Sequence, residues 1–237
     1  MAVQREEKDL DARELNELGN AYVDYGMWER AEECYRRSLE LRRASGDQRG
    51  EGLTLHNLGA LYQRLGRWEE ACEQYRLSLA LAQESGEAQS ELASAMNLCL
   101  IHYSLSETEE FLKLAQETEA LARSLEAWEP LARLSWLRGR IAFATGQEGA
   151  QRGMEQYAQA LHFASRKSPS VLRQMAGYLG EEIQSLVERG EAGTALVLCD
   201  YLLALSRREG LAQEAIDLLE ARRREVLYGA RLGPPAR

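Results

Sequence analysis

Residues 56–82 read HNLGALYQRLGRWEEACEQYRLSLALA, and residues 16–42, forty positions upstream, read NELGNAYVDYGMWERAEECYRRSLELR. Laid on one another, they agree at Leu18/Leu58, Gly19/Gly59, Tyr22/Tyr62, Gly26/Gly66, Trp28/Trp68, Glu29/Glu69, Ala31/Ala71, Glu33/Glu73, Tyr35/Tyr75, Arg36/Arg76, Ser38/Ser78, Leu39/Leu79 and Leu41/Leu81, thirteen of twenty-seven positions. Self-similarity at a fixed period marks a repeat architecture, in which each unit buries its apolar face against the next.

Within each copy, Leu15, Leu18, Gly19 and Tyr22 fall at helical spacing before Gly26, and Ala31, Tyr35 and Ser38 do so after it. The unit is therefore two antiparallel helices joined at a glycine. A glycine inside a helix costs about 1 kcal/mol against alanine, so Gly19 and Gly59 imply a close contact. The expected contact is the second helix at Ala31 or Ala71, with Tyr22 and Tyr35 filling the space around it. Gly26 and Gly66 stand between helices, where a left-handed backbone suits glycine.

Leu-Gly-x-x-Tyr, then Gly-x-Trp, then Ala-x-x-x-Tyr resembles the tetratricopeptide repeat. The spacing of forty exceeds the usual repeat of about 34 residues, and Arg43 or Gln83 stands where that repeat carries proline. The chain is similar to the longer-helix variety of kinesin light chains and bacterial regulatory proteins, which the linkers SGDQRGEG (45–52) and SGEAQSEL (85–92) fit. The resemblance implies an all-α fold, a right-handed α-solenoid (superhelix) of helix-turn-helix pairs.

In register, the repeats fall at about 11–46, 47–86, 87–126, 127–167 and 168–209 of a single array. A capping helix is expected over 211–228, and disorder over 1–10 and 229–237. Asp11 and Glu14 form a capping-box pattern at the first helix. Asn97, Leu98 and Cys99 lie forty residues beyond Asn57, Leu58 and Gly59, and Ser106 is expected to make the third turn as a helix cap. The fourth repeat begins near Pro130 and recovers Gly139 and Gly146. After a longer turn that accommodates GQEGAQRG, Gly153 and Tyr157 take the places of Ala71 and Tyr75. Ser168-Pro169 reads as N-cap and first helical residue, and EARRRE (220–225) as a polar outer face.

Composition narrows the function. The 237 residues are 45% apolar with four prolines, and no apolar run approaches the roughly 18 residues that span a membrane. MAVQREEKDLDARE lacks the apolar core of a signal peptide, so a cytoplasmic setting without membrane contact is expected. A net charge of −9 and a pI near 5.1 oppose nucleic acid as partner. Cys34, Cys72, Cys99 and Cys199 form no C-x-x-C pair and read as reduced packing residues. His56, His102 and His162 lie in different repeats, without an H-E-x-x-H, a phosphate-cradling loop or a nucleophile elbow. No enzyme, no metal and no cofactor are expected.

By resemblance, the first helix of each pair lines a concave groove that takes a protein or peptide segment. Asn57 and Asn97 hold equivalent places, and an amide carries both a donor and an acceptor, so the pair can bracket the backbone of an extended peptide. The alternative is that they bridge neighbouring helices. Asn16 and Asn20 are secondary candidates. Met96, Tyr103 and Trp136, with Leu100, Leu137 and Phe143, would form an apolar pocket, with Arg64, Arg133 and Arg140 beside it for an acidic neighbour. Leu137 and Phe143 fit the inter-repeat core equally well. The carboxylate clamp of chaperone-tail binders needs lysine and arginine that Asn16, Asn20, Ala93 and Asn97 do not provide. The expected function is a protein-interaction adaptor; the alternative is a ligand-gated, peptide-sensing regulator or the sensor part of a larger one. The faded C-terminal end leaves a homodimer through the C-terminal helices open.

Overall fold

The computed structural model describes residues 10–144 and 147–232, and these form eleven α-helices with no strand among them. The expectations placed on residues 1–9, on Gly146 and on residues 233–237 fall outside the described residues. The chain divides into two compact units, Met1–Leu121 and Ala122–Arg237. The helices of the first are α1 (Ala12–Asp24), α2 (Trp28–Ser45), α3 (Gln48–Arg64), α4 (Trp68–Ser85) and α5 (Ala88–Ser104), and α6 (Thr108–Ser124) crosses the division.

In the first unit several helix ends have a local cause. Asp11 accepts from the Glu14 N–H at 2.8 Å and Glu14 accepts from the Asp11 N–H at 2.9 Å, which completes the capping box. Gly26 and Gly66 turn the chain at φ 71° and 72°. Ser106 does the same at φ 61°, and Glu107 N–H reaches His102 O at 2.9 Å as Arg67 N–H reaches Tyr62 O at 2.9 Å. The third turn thus keeps the left-handed geometry of the glycine turns, where a cap was expected in its place. A left-handed non-glycine residue costs about 1–2 kcal/mol, and this exposed turn is closed by local hydrogen bonds, with Glu107 Oε2 also 2.5 Å from His102 Nδ1.

The interior explains the helical glycines. A Cβ on Gly19 would stand 2.6 Å from Tyr35 Cε1, and one on Gly59 3.0 Å from Tyr75 Cε1. What approaches these glycines is the flat ring of the tyrosine; the expected approach at Ala31 is one turn away. The third repeat solves the same space differently. Cys99 replaces the glycine and Ala115, forty residues beyond Tyr75, replaces the ring; both are fully buried. At this place bulk is added on the first helix and removed from the second. Leu55, Leu58, Leu61, Tyr62, Leu98 and Ile101 complete the core of this unit. All four cysteines are buried thiols, and burial pushes that of Cys199 up to about 11.

The second unit holds α7 (Trp128–Ala144), α8 (Gln147–Lys167), α9 (Pro169–Glu188), α10 (Ala192–Glu209) and α11 (Gln213–Leu232). α7 begins two residues before Pro130. The insertion expected as a longer turn is helical from Gln147 onward and lengthens α8 to 21 residues. Tyr157 does take the ring position, since a Cβ on Gly139 would stand 2.3 Å from its Cε1. Gly153 makes room for the Phe143 ring, which stacks on Tyr157 at 5.2 Å. Phe143 and Leu137 are therefore core residues. Ser168 caps α9 by accepting from the Val171 N–H, with Pro169 first in the helix. The last helix runs to Leu232, so residues 229–232 continue it where a tail was expected.

The ring-for-glycine exchange is testable by urea denaturation. Gly59→Cys alone should cost about 1–3 kcal/mol by overpacking. In a Tyr75→Ala background the same change should be neutral or stabilising, with a coupling of about 1–3 kcal/mol; equal costs in both backgrounds would contradict the exchange.

Candidate functional site

In the first unit the first helices bring the candidate asparagines together in pairs. Asn57 Nδ2 donates to Asn16 Oδ1 at 3.2 Å, and Asn97 Nδ2 lies 3.4 Å from His56 Nε2. Asn16 and His56 hold the same repeat position, as do Asn57 and Asn97, so one contact between neighbouring first helices occurs twice. Asn16 is buried; Asn57 and Asn97 are half-buried. Each bridge occupies one N–H of the amide, which retains its second N–H and its carbonyl oxygen. The bridging and the peptide-bracketing readings are thus compatible.

Behind the wall runs a row of buried hydroxyls. Ser38 donates to Ala12 O at 2.6 Å and lies 3.3 Å from Thr54 Oγ1; Ser78 donates to Gly52 O at 2.8 Å and lies 3.0 Å from Ser94 Oγ. His56 joins this row to the wall, with Nδ1 3.1 Å from Ser94 Oγ and its ring edge-on to Tyr75 at 5.2 Å. Burial lowers its pKa. His56, forty residues after Asn16, stands on the first-helix face expected to line the groove but was given no part in the candidate site.

Next to Asn57 opens a cleft of about 210 Å³ lined by Asn20, Val23, Asp24, Tyr35, Asn57, Ala60, Leu61 and Arg64. Tyr35 OH donates to Asn20 Oδ1 at 2.7 Å. Burial, helped by Asp24, pushes that hydroxyl up to about 12, so it stays a donor at neutral pH. Asp24 and Arg64 are exposed and give the cleft charges of both signs. A second cleft, of about 410 Å³, includes Asn16, Leu53, Gly50 and three arginines, each of them matched by a carboxylate. The pairs are Arg13–Glu17 at 2.8 Å, Arg42–Asp47 at 3.3 Å and Arg49–Glu87 at 2.9 Å.

The apolar candidates are less open than expected. Met96 is buried, and Tyr103 is half-buried with its ring edge-on to Phe111 at 6.0 Å. In the second unit Trp136 is half-buried and stacks on Tyr178 of α9 at 5.0 Å, with the Arg140 guanidinium 5.3 Å over its ring. Arg140 Nε also reaches Glu182 Oε2 at 3.1 Å, and Arg133 lies 3.5 Å from Glu129. The Trp136 indole N–H is buried without a hydrogen-bond partner among the described residues. Tyr178 and Arg140 thus contact the ring that was expected to stand open. Tyr178 was not a candidate; its signal is the offset of 42 from Trp136, close to the 41 of the asparagine bridges.

Residues 10–84 and, overlapping them, 50–124 match the tetratricopeptide repeat family. Over residues 10–124 the chain carries tetratricopeptide repeats. Its all-α solenoid class is shared with solved structures. BtubC from P. vanneervenii superposes with a TM-score of 0.62 at 18% identity, covering 95% of this chain and 83% of that one. A kinesin light chain-type protein of Podosopora anserina with nearly identical TPR-like repeats gives 0.52 at 19%, covering 93% and 97%. YrrB, a TPR protein with an unusual peptide-binding site, gives 0.51 at 15%, covering 83% and 87%. At these identities the likeness shows the fold alone. A search of curated proteins returns no match. Among the described residues, no helix is long and apolar enough to cross a membrane, and no three His, Cys, Asp or Glu side chains group as metal ligands.

The His56 environment predicts a pH dependence. A histidine whose folded pKa lies below its ordinary 6.5 contributes stability that is complete above that value and is lost as pH falls through the folded pKa. Urea midpoints measured from pH 7.5 to pH 5 should therefore drop more for the wild type than for His56→Gln. Parallel profiles would contradict the burial of a neutral imidazole.

Proposed function

We propose that this protein is a cytoplasmic, non-enzymatic adaptor that holds an extended partner segment along the α1, α3 and α5 wall of its first unit. The observation that carries the reading is the twice-repeated bridge, which holds Asn57 and Asn97 in equivalent settings on neighbouring first helices. Amides spaced by one structural repeat suit a backbone, whose donors and acceptors also recur at a fixed spacing. The adjoining cleft supplies Asn20 for a further polar contact and Arg64 for an acidic side chain. The description of YrrB as peptide-binding supports the class of partner. Buried thiols at all four cysteines suit a reducing compartment. In the second unit, Arg133, Trp136 and Arg140 are a separate contact surface, where a partner would meet two cations and the edge of an aromatic stack. Met96 and Tyr103 support the wall from within. The acidic net charge favours protein over nucleic acid as partner.

Peptides selected from a displayed library on the wild-type protein provide the test. Arg64 is exposed, so Arg64→Glu should leave the fold intact and weaken the selected peptides about tenfold, or 1.4 kcal/mol. Arg76→Glu, also exposed but on α4, should leave affinity unchanged. Equal losses for both variants, or a loss for Arg76→Glu alone, would overturn the assignment of the wall.

A further inference from the structure

The polar row behind Asn97 has a direction that follows from its end point. Gly52 O can only accept, so the single hydroxyl hydrogen of Ser78 is committed to it at 2.8 Å. Ser94 must then donate to Ser78 across their 3.0 Å contact, which commits the hydrogen of Ser94 in turn. At 3.1 Å from Ser94 Oγ, His56 Nδ1 has to carry a proton, and the neutral imidazole is left with Nε2 as an acceptor. Asn97 therefore turns its NH₂ to Nε2 at 3.4 Å and keeps its carbonyl oxygen for the wall.

We propose that His56 is the positioning residue for Asn97, and that the proton state of its imidazole decides which edge of that amide the wall presents. With His56 neutral, Asn97 offers Oδ1 and accepts from a backbone N–H of the partner segment. With His56 protonated, Nε2 becomes a donor and needs an acceptor, so the amide turns over and offers its NH₂ to a partner carbonyl. The balance is one proton taken up at Nε2 and one rotation of an amide. This consequence for binding rests on the reading of the wall as the partner face; the coupling of His56 to Asn97 does not.

The surroundings leave His56 as the group that titrates. From α4 it meets the Tyr75 ring, whose hydroxyl donates to Gln63 at 3.1 Å and is raised by burial. From α5 it meets Ser94 and Asn97, both uncharged. On α1, Asn16 is uncharged and Glu17 is paired with Arg13. Burial alone accounts for the lowered pKa of His56.

Nuclear magnetic resonance on the full ¹⁵N-labelled chain, without any partner, tests the coupling. The neutral His56 should be the Nδ1–H tautomer in long-range ¹⁵N–¹H spectra, and the Asn97 side-chain NH₂ pair should shift with the midpoint of the His56 ring. The Asn57 pair, bonded to Asn16, should stay flat. Ser94→Ala removes the acceptor of Nδ1–H and should raise the fraction of the Nε2–H tautomer; His56→Gln should abolish the titration of Asn97. A wild-type Nε2–H tautomer, or an Asn97 pair that stays flat while His56 titrates, would overturn the proposal. Because no peptide is present, a failed peptide selection would bear only on the functional reading.

Discussion

The contact on which the rest depends is a tyrosine ring lying against a glycine of the paired helix. It recurs as Gly19–Tyr35, Gly59–Tyr75 and Gly139–Tyr157, where an added Cβ would fall 2.6, 3.0 and 2.3 Å from the ring. The ring fills the core of the pair, and in the first unit its hydroxyl continues outward to a residue of the first helix. Tyr35 reaches Asn20 at 2.7 Å and Tyr75 reaches Gln63 at 3.1 Å. One side chain thus sets the packing of the pair and orders a polar group on or beside the wall, which couples the stability of a repeat to the shape of its candidate site.

A second layer, polar and buried, joins one repeat to the next. Buried hydroxyls are tolerated when every hydrogen finds an acceptor, and here helix carbonyls at Ala12 and Gly52 close the chains. The requirement propagates through Ser94 and His56 to the amide of Asn97. In the second unit the equivalent of Asn16 and His56 is Trp136, and an aromatic stack on Tyr178 stands in place of the amide bridge. The repeat position that joins neighbouring first helices is kept while its chemistry changes from hydrogen bonding to stacking.

This division explains what could be read in the sequence. The capping box at Asp11, the Ser168-Pro169 start and the places of Gly139 and Tyr157 in the fourth repeat were legible because each depends on local chemistry or on the period of forty, whereas the contact of ring with glycine was not. The left-handed backbone of Ser106 and the helical insertion at the start of α8 were not: Ser106 lies in an exposed turn closed by its own backbone hydrogen bonds, and the period of forty carries no mark of the insertion's helical state. The wall was legible by position and less so by exposure. Met96, Tyr103 and Trp136 all carry apolar surface at expected wall positions, yet Met96 is buried, and Tyr103 and Trp136 lie against Phe111 and Tyr178, neighbours that the period alone does not reveal. The asparagine bridges needed an offset of 41, one residue beyond the repeat, which the alignment of identical positions passes over.

The most direct measurement is a crystal structure of the protein with a selected peptide bound. The account predicts an extended segment on the first-helix face of the first unit, its backbone N–H groups within hydrogen-bonding distance of Asn57 Oδ1 and Asn97 Oδ1, with both bridges intact. A segment lying on α2 and α4, or a bound peptide that leaves both amide oxygens facing solvent, would contradict it.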